Sequence, residues 1–175
     1  MTMPTEIAQL GASVLRQHAE FVSQVTSREI KQIISDMQVT LAATQGVGLA
    51  APQISQLKRI IIVASKPSSR YPDAPVMMPT VMINPVFEAQ SNEKTKDWEG
   101  CLSIPGIRAL VPRFKTIEVR YTNEQGITIE QKLEGFVARI FQHEADHLDG
   151  KVYLDRVESS ADIISESEYF KLFKH

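Results

Sequence analysis

The stretch that most restricts the fold is Gly135 to Gly150, GFVARIFQHEADHLDG. Phe136, Val137, Ile140, Phe141 and Leu148 recur at spacings of three and four, which predicts a helix. Gly135 and Gly150 punctuate its ends. The apolar positions cover more than one face, so the helix must be enclosed by other layers. It carries His143 and His147 into that interior, four residues apart and therefore on one face, aimed at one point. Buried imidazoles need partners, and one metal ion would satisfy both. Glu144 lies beside them, close enough to take a proton from a water such an ion would hold. This is the H-E-x-x-H pattern, two ligands and a general base on one helix.

The rest of the composition narrows the setting. A chain of 175 residues suits one domain, residues 1–175, with an N-terminal arm (1–26) and a C-terminal tail (155–175). Hydrophobic residues at 43% and charged residues at 23% are ordinary for a soluble globular protein. A net charge of -2 gives no electrostatic reason to expect nucleic acid or an acidic membrane surface as partner. One cysteine excludes an internal disulfide and fits a reducing compartment. No apolar run is long enough to span a bilayer, and Met1 to Gln9 shows no secretory pattern, so the cytoplasm is the expected location.

Along the chain, Ile7, Leu10, Val14 and Leu15 are expected to pin the arm to the body, and His18 to lie at the surface. Thr26 to Thr44 reads as a helix, with Thr26 and Glu29 as a capping box and Ile30, Ile33, Ile34, Met37 and Leu41 as its buried stripe. Gly46 to Gln53, GVGLAAPQ, combines two glycines, which permit close approach, with Pro52, which stiffens the backbone before Gln53. Strands are predicted at Arg59 to Ala64, Thr80 to Ile83, Val86 to Ala89, Arg108 to Val111 and Thr116 to Tyr121, with Ile127 to Leu133 as a hairpin partner of the last. Ser65 to Pro79 reads as a surface loop and Ser91 to Asp97 as exposed polar chain. The tail has no assignable conformation. Cys101 lies in WEGCLSIP. A lone cysteine is commonly just buried, yet a thiolate is a strong metal ligand, the helix supplies only two ligands, and this is the only thiol available as a third.

Three stretches in order, GVGLAAPQ at 46–53, EGCLS at 99–103 and QHEADH at 142–147, are similar to the motifs of the peptide deformylases, and the resemblance runs from the arm to about Leu154. It implies an α+β fold, with the motif helix packed among antiparallel sheets. It implies an enzyme that removes the formyl group from the N-terminal methionine of newly synthesised polypeptides. By the same resemblance Cys101, His143 and His147 are metal ligands with water as the fourth, and Glu144 is the general base and then the acid. Gln53, through its side-chain amide, and Leu102, through its backbone N–H, would stabilise the oxyanion. Gly46, Val47, Gly48, Glu99, Gly100, Arg108, Phe136 and Ile140 would bind substrate. The implied cofactor is one divalent ion, ferrous iron physiologically, with zinc or nickel able to replace it. Asp146 is expected to orient a ligand histidine or to pair with Arg113 or Arg139. Some relatives end in a long basic helix linked to ribosome contact; Ser165 to His175 is not strongly basic, so the tail does not support that contact. The helix motif alone would also suit a metallopeptidase, or a non-enzymatic protein stapled by a metal with four protein ligands.

Overall fold

The structure, a computed structural model, describes residues 3–68 and 71–173. In chain order the main elements are α1 (Arg28–Ala42), β1 (Gly48–Ala50), a 3₁₀ turn (Ala51–Ile54), β2 (Ile60–Ser65), β3 (Met77–Ala89), β4 (Lys94–Cys101), β5 (Ile104–Phe114), β6 (Thr116–Thr122), β7 (Thr128–Glu134) and α2 (Gly135–Leu148). A 3₁₀ turn (Tyr153–Arg156), β8 (Ile163–Ser165) and α3 (Glu166–Lys171) follow. The strands make two antiparallel sheets, one in the order β1-β2-β3-β6-β7 and one in the order β4-β5-β8. This is the α+β architecture expected, with α2 at its centre.

The all-round apolar pattern of α2 explains that position. Val137, Ala138, Ile140, Phe141 and Leu148 join Ile61, Val63, Met82, Ile117, Val119 and Leu133 of the larger sheet in one core. On the side of the smaller sheet, Ile104, Ala109 and Val111 pack with Val152 and Tyr153. The α1 stripe, Ile30, Ile33, Ile34, Met37 and Leu41, is buried as its spacing requires, against Leu49, Ile60 and Ile62. Among the described residues no helix is long and apolar enough to cross a membrane.

Several local expectations need correction. The N-cap of α1 is Ser27, whose Oγ accepts from the Ile30 N–H at 3.3 Å, so Thr26 and Glu29 form no capping box. The pieces Thr80 to Ile83 and Val86 to Ala89 are one strand, β3, whose register slips around Asn84 and Pro85. Asn84 takes a left-handed φ of 52° there, and its amide exchanges two 2.9 Å hydrogen bonds with the Val22 backbone. Lys94 to Asp97 is strand rather than loop; its side chains are exposed, so no alternation betrays it. The arm is anchored by Leu15, 1% exposed, and by its backbone, whereas Leu10 is 47% exposed. Ala8 N–H donates to Gln53 O (2.8 Å), Leu10 N–H to Ser103 O (2.9 Å) and Ala19 N–H to Leu148 O (2.8 Å). His18 is at the surface, as expected. The tail is ordered: β8 extends the smaller sheet and Tyr169 of α3 is buried. His175 lies outside the described residues.

Candidate active site

Four segments meet at one cavity of about 240 Å³. The helix α2 contributes His143, Glu144 and His147, all buried. The β4–β5 hairpin contributes Cys101, the last residue of β4, with Leu102 and Ser103 forming the turn to Ile104. The glycine-rich segment enters through β1, which is short but hydrogen-bonded to β2. The 3₁₀ turn behind Pro52 then carries Gln53.

One sulfur and two imidazoles converge, their ligand atoms all lying within 4.8 Å of one another. Cys101 Sγ is 3.4 Å from His147 Nε2. His143 points its Nδ1 at Glu99 Oε1, 2.9 Å away. Glu99 also accepts from Arg113 Nε and Nη2, each at 2.9 Å, and from Arg139 Nη1 at 2.7 Å. Burial by itself would raise the Glu99 carboxyl, but the Arg113 guanidinium and His143 outweigh it and hold it well below the usual carboxylate range. An ionised Glu99 can only accept, so His143 Nδ1 carries the hydrogen, and a neutral ring then keeps its Nε2 lone pair for a metal ion.

Arg113 continues the network through Asp146 Oδ2 at 2.6 Å, and Arg156 closes it on Asp146 Oδ1 at 2.9 Å. Of the two arginines expected for Asp146, Arg113 is the partner; Arg139 turns instead to Glu99 and to the carbonyls of Val111 (2.7 Å) and Thr95 (2.6 Å). Burial would raise Asp146, yet Arg156 and Arg113 hold it below its ordinary value. Burial also opposes the charge on Arg113, but Glu99 and Asp146 prevail and keep it protonated. Asp146 is therefore bound into the support of the site through Arg113 and Arg156.

The two imidazoles differ sharply. Burial disfavours charge on both, but Glu144, Cys101 and Glu99 pull His143 well above the ordinary imidazole value. Burial and then the proximity of His143 push His147 down to about 3. Burial lifts Glu144 to about 7, against the opposing pull of His143. Among the described residues its buried Oε1 has no hydrogen-bond partner, nor has His147 Nδ1. Such a carboxylate can hold or release a proton near neutrality.

Gln53 is oriented from both ends. Its Oε1 accepts from the Ala50 N–H at 2.9 Å, while Nε2 donates to Ser103 Oγ at 3.0 Å and lies 3.6 Å from Cys101 Sγ. The absent side chains of two glycines make room. A Cβ on Gly48 would sit 2.5 Å from Glu144 Oε2, and one on Gly100 would overlap the Arg108 guanidinium. All eight residues expected at the substrate (Gly46, Val47, Gly48, Glu99, Gly100, Arg108, Phe136 and Ile140) line the cavity. Glu99 does so only at its edge, because both its carboxylate oxygens are engaged in the ionic network. His147 is shielded behind the cavity wall.

Sequence reasoning gave no role to Ser103, Tyr71, Trp98, Arg156 or Glu166. Tyr71 packs on Phe136 with ring centroids 4.6 Å apart. Strand alternation gave no signal for the role of Glu99 beside the candidate ligands, since the β4–β5 register shifts between Glu99 and Cys101.

A buried H-E-x-x-H helix between antiparallel sheets, completed by a thiol delivered from a separate hairpin, defines the class as a hydrolase of α+β fold with a candidate site for one metal ion. The sequence pattern of polypeptide deformylase matches residues 4–162. Peptide deformylase 2 of Nostoc sp. is 53% identical over 166 residues, covering 95% of this chain and 93% of the relative. A class I type b peptide deformylase from Acinetobacter baumannii, crystallised with Met-Ala-Ser, superposes with a TM-score of 0.86 at 42% identity, covering 90% of this chain and 100% of that one. The actinonin complex of a Synechococcus elongatus peptide deformylase gives a TM-score of 0.79 at 37% identity, covering 91% and 81%. This chain belongs to the peptide deformylase family.

Proposed function

We propose that this chain hydrolyses the N-formyl group from the N-terminal methionine of newly synthesised polypeptides and releases formate. The convergence of Cys101, His143 and His147 beside the buried carboxylate of Glu144 carries the reading. The donor set fits a single divalent ion: one sulfur, two imidazole nitrogens, and a neighbouring Glu144 oxygen with no partner, as expected where a water belongs. Three such side chains converge among the described residues, which argues against a structural zinc closed by four protein ligands. Ferrous iron is the metal we assign, with zinc or nickel able to take the same ligands; thiolate and imidazole suit all three.

When bound, the ion supplies Lewis acidity that lowers the pKa of water towards neutrality. Glu144 takes the proton of the attacking water and returns it to the departing amine. As the water oxygen adds to the formyl carbon, negative charge collects on the formyl oxygen. The second N–H of Gln53 Nε2 and the backbone N–H of Leu102 donate to it. Ala50 and Ser103 already orient the Gln53 amide; its second N–H, on Cys101 Sγ in this structure, turns from the sulfur to the formyl oxygen. Glu99 keeps His143 in the required tautomer. The apolar wall of Val47, Leu102, Phe136 and Ile140 accepts the unbranched methionine side chain. The packing of α2 against β1, β2, β6 and β7 of the larger sheet and β5 of the smaller one supports treating residues 1–175 as one catalytic domain, acting on formyl-methionyl nascent chains in the cytoplasm.

Formate release from formyl-Met-Ala-Ser, compared with Glu144→Ala at equal metal content, tests the reading. Turnover by the wild type and its near-complete loss in the variant are expected. Retained turnover in Glu144→Ala would remove its acid–base role.

A further inference from the structure

The segment 163–171 lies beyond the residues matched by the family pattern, yet it builds part of the cavity wall. Its β8 extends the smaller sheet through Ile107↔Ser165, Arg108↔Ile164 and Ala109↔Ile163. That register sets α3 against the outer side of the β4–β5 hairpin. Tyr169, 1% exposed, packs edge-on to Trp98 at 5.7 Å and lies 5.5 Å beneath the Arg108 guanidinium. Glu166, the first residue of α3, lines the cavity and accepts from Arg108 Nη2 at 3.2 Å. Arg108 is nearly enclosed, whereas the Glu166 side chain is 30% exposed. The guanidinium lies over Gly100, next to Cys101, in the space a side chain there would occupy.

The reaction fixes which part of a substrate passes this wall. The formyl carbon must reach Cys101 and Glu144, and the first side chain takes the apolar wall of Phe136 and Ile140. The following residues then run along the remaining lining, where Arg108, Glu166 and Lys66 are the charged groups not consumed by the buried network. We propose that Glu166 is a specificity-determining residue: by pairing with Arg108 it cancels a fixed positive charge that would otherwise select formylated peptides with acidic side chains after the methionine. This rests on the deformylase reading above.

The test compares kcat/KM for formate release from formyl-Met-Glu-Ser and formyl-Met-Lys-Ser, with formyl-Met-Ala-Ser as neutral reference, in wild type, Glu166→Gln and Glu166→Asp. Unmasking one cation several ångströms from the peptide should raise the acidic-to-basic ratio roughly tenfold in Glu166→Gln. About 0.5 M salt should erase most of that rise. Glu166→Asp should restore the wild-type ratio. Thermal melting confirms that the variants are folded. A ratio within about twofold of wild type in Glu166→Gln overturns the proposal, as does an equal, salt-insensitive fall for all three peptides, which marks a purely structural residue. A wild type that releases no formate from the neutral peptide overturns the deformylase reading and this proposal together; an active wild type with an unmoved ratio overturns this proposal alone.

Discussion

Replacing Glu99 by Gln keeps the shape of the side chain and removes its charge. Glu99 accepts two hydrogen bonds from Arg113, one from Arg139 and one from His143, in a site almost without solvent. The Gln amide nitrogen would face guanidinium donors, so at least one oxygen's worth of bonding turns repulsive. Removing one partner of a buried pair costs roughly 3–5 kcal/mol. Arg113 retains Asp146, and Arg139 retains the carbonyls of Val111 and Thr95, which places the loss near the lower end, about 3 kcal/mol. For a chain of this size that corresponds to a fall in Tm of about 6–12 °C. The same change loosens His143, whose tautomer and ring orientation depend on Glu99, so metal affinity should fall about 10- to 100-fold. Thermal melting of chelator-treated protein reads the first effect, and competition with a chromophoric chelator reads the second. A Tm within about 2 °C of wild type together with an affinity within twofold would refute the reasoning, since both follow from one buried carboxylate.

Other perturbations follow from the same geometry. Gln53→Ala should lower kcat roughly 100- to 1,000-fold with metal content largely kept, because it removes an oxyanion donor and, of the three ligands, touches only the long Nε2 contact to Cys101 Sγ; steady-state kinetics and metal analysis check this. Gly48→Ala should cost on the order of a hundredfold in kcat, since its Cβ would displace the Glu144 carboxylate; loss of activity with a normal Tm is the expected signature. Asp146 is held below its ordinary value of 3.8, so its stabilisation is present above that pH and is lost as the pH falls through and below it. Asp146→Asn should therefore be less stable by about 1–3 kcal/mol at neutral pH and show a flatter acid limb in denaturant melts collected from pH 7 to pH 3.

Much of this site was legible in the chain because chemistry constrains it locally. Two imidazoles on one helix face need a four-residue spacing, and an all-round apolar helix needs layers on both sides, so His143, His147 and the central position of α2 could be read directly. Cys101 could be named only as the one remaining thiol and by the resemblance of EGCLS to a family motif, since nothing local says where a hairpin turn will land. The supporting network was legible only in part. The pairing of Asp146 with an arginine was expected, with Arg113 as one candidate; the gathering of Arg113, Arg139 and His143 on Glu99, and the closure by Arg156, were not, because they come from separate elements and charged residues are read as exposed unless their partners are known. Lys94 to Asp97 failed for the converse reason, since an exposed strand paired on one edge carries no apolar alternation. Glu166 and Tyr169 sit in a tail whose pattern is too short to assign, and only the pairing of β8 with β5 brings them to the cavity.

X-ray absorption at the metal edge of anaerobically purified, active protein tests the central claim most directly. One sulfur scatterer at about 2.3 Å and two imidazole nitrogens near 2.0–2.1 Å are expected, with the remaining contact from a light, solvent-derived atom. A spectrum without sulfur, or one with a fourth protein ligand in the active enzyme, would contradict the site built here from Cys101, His143 and His147.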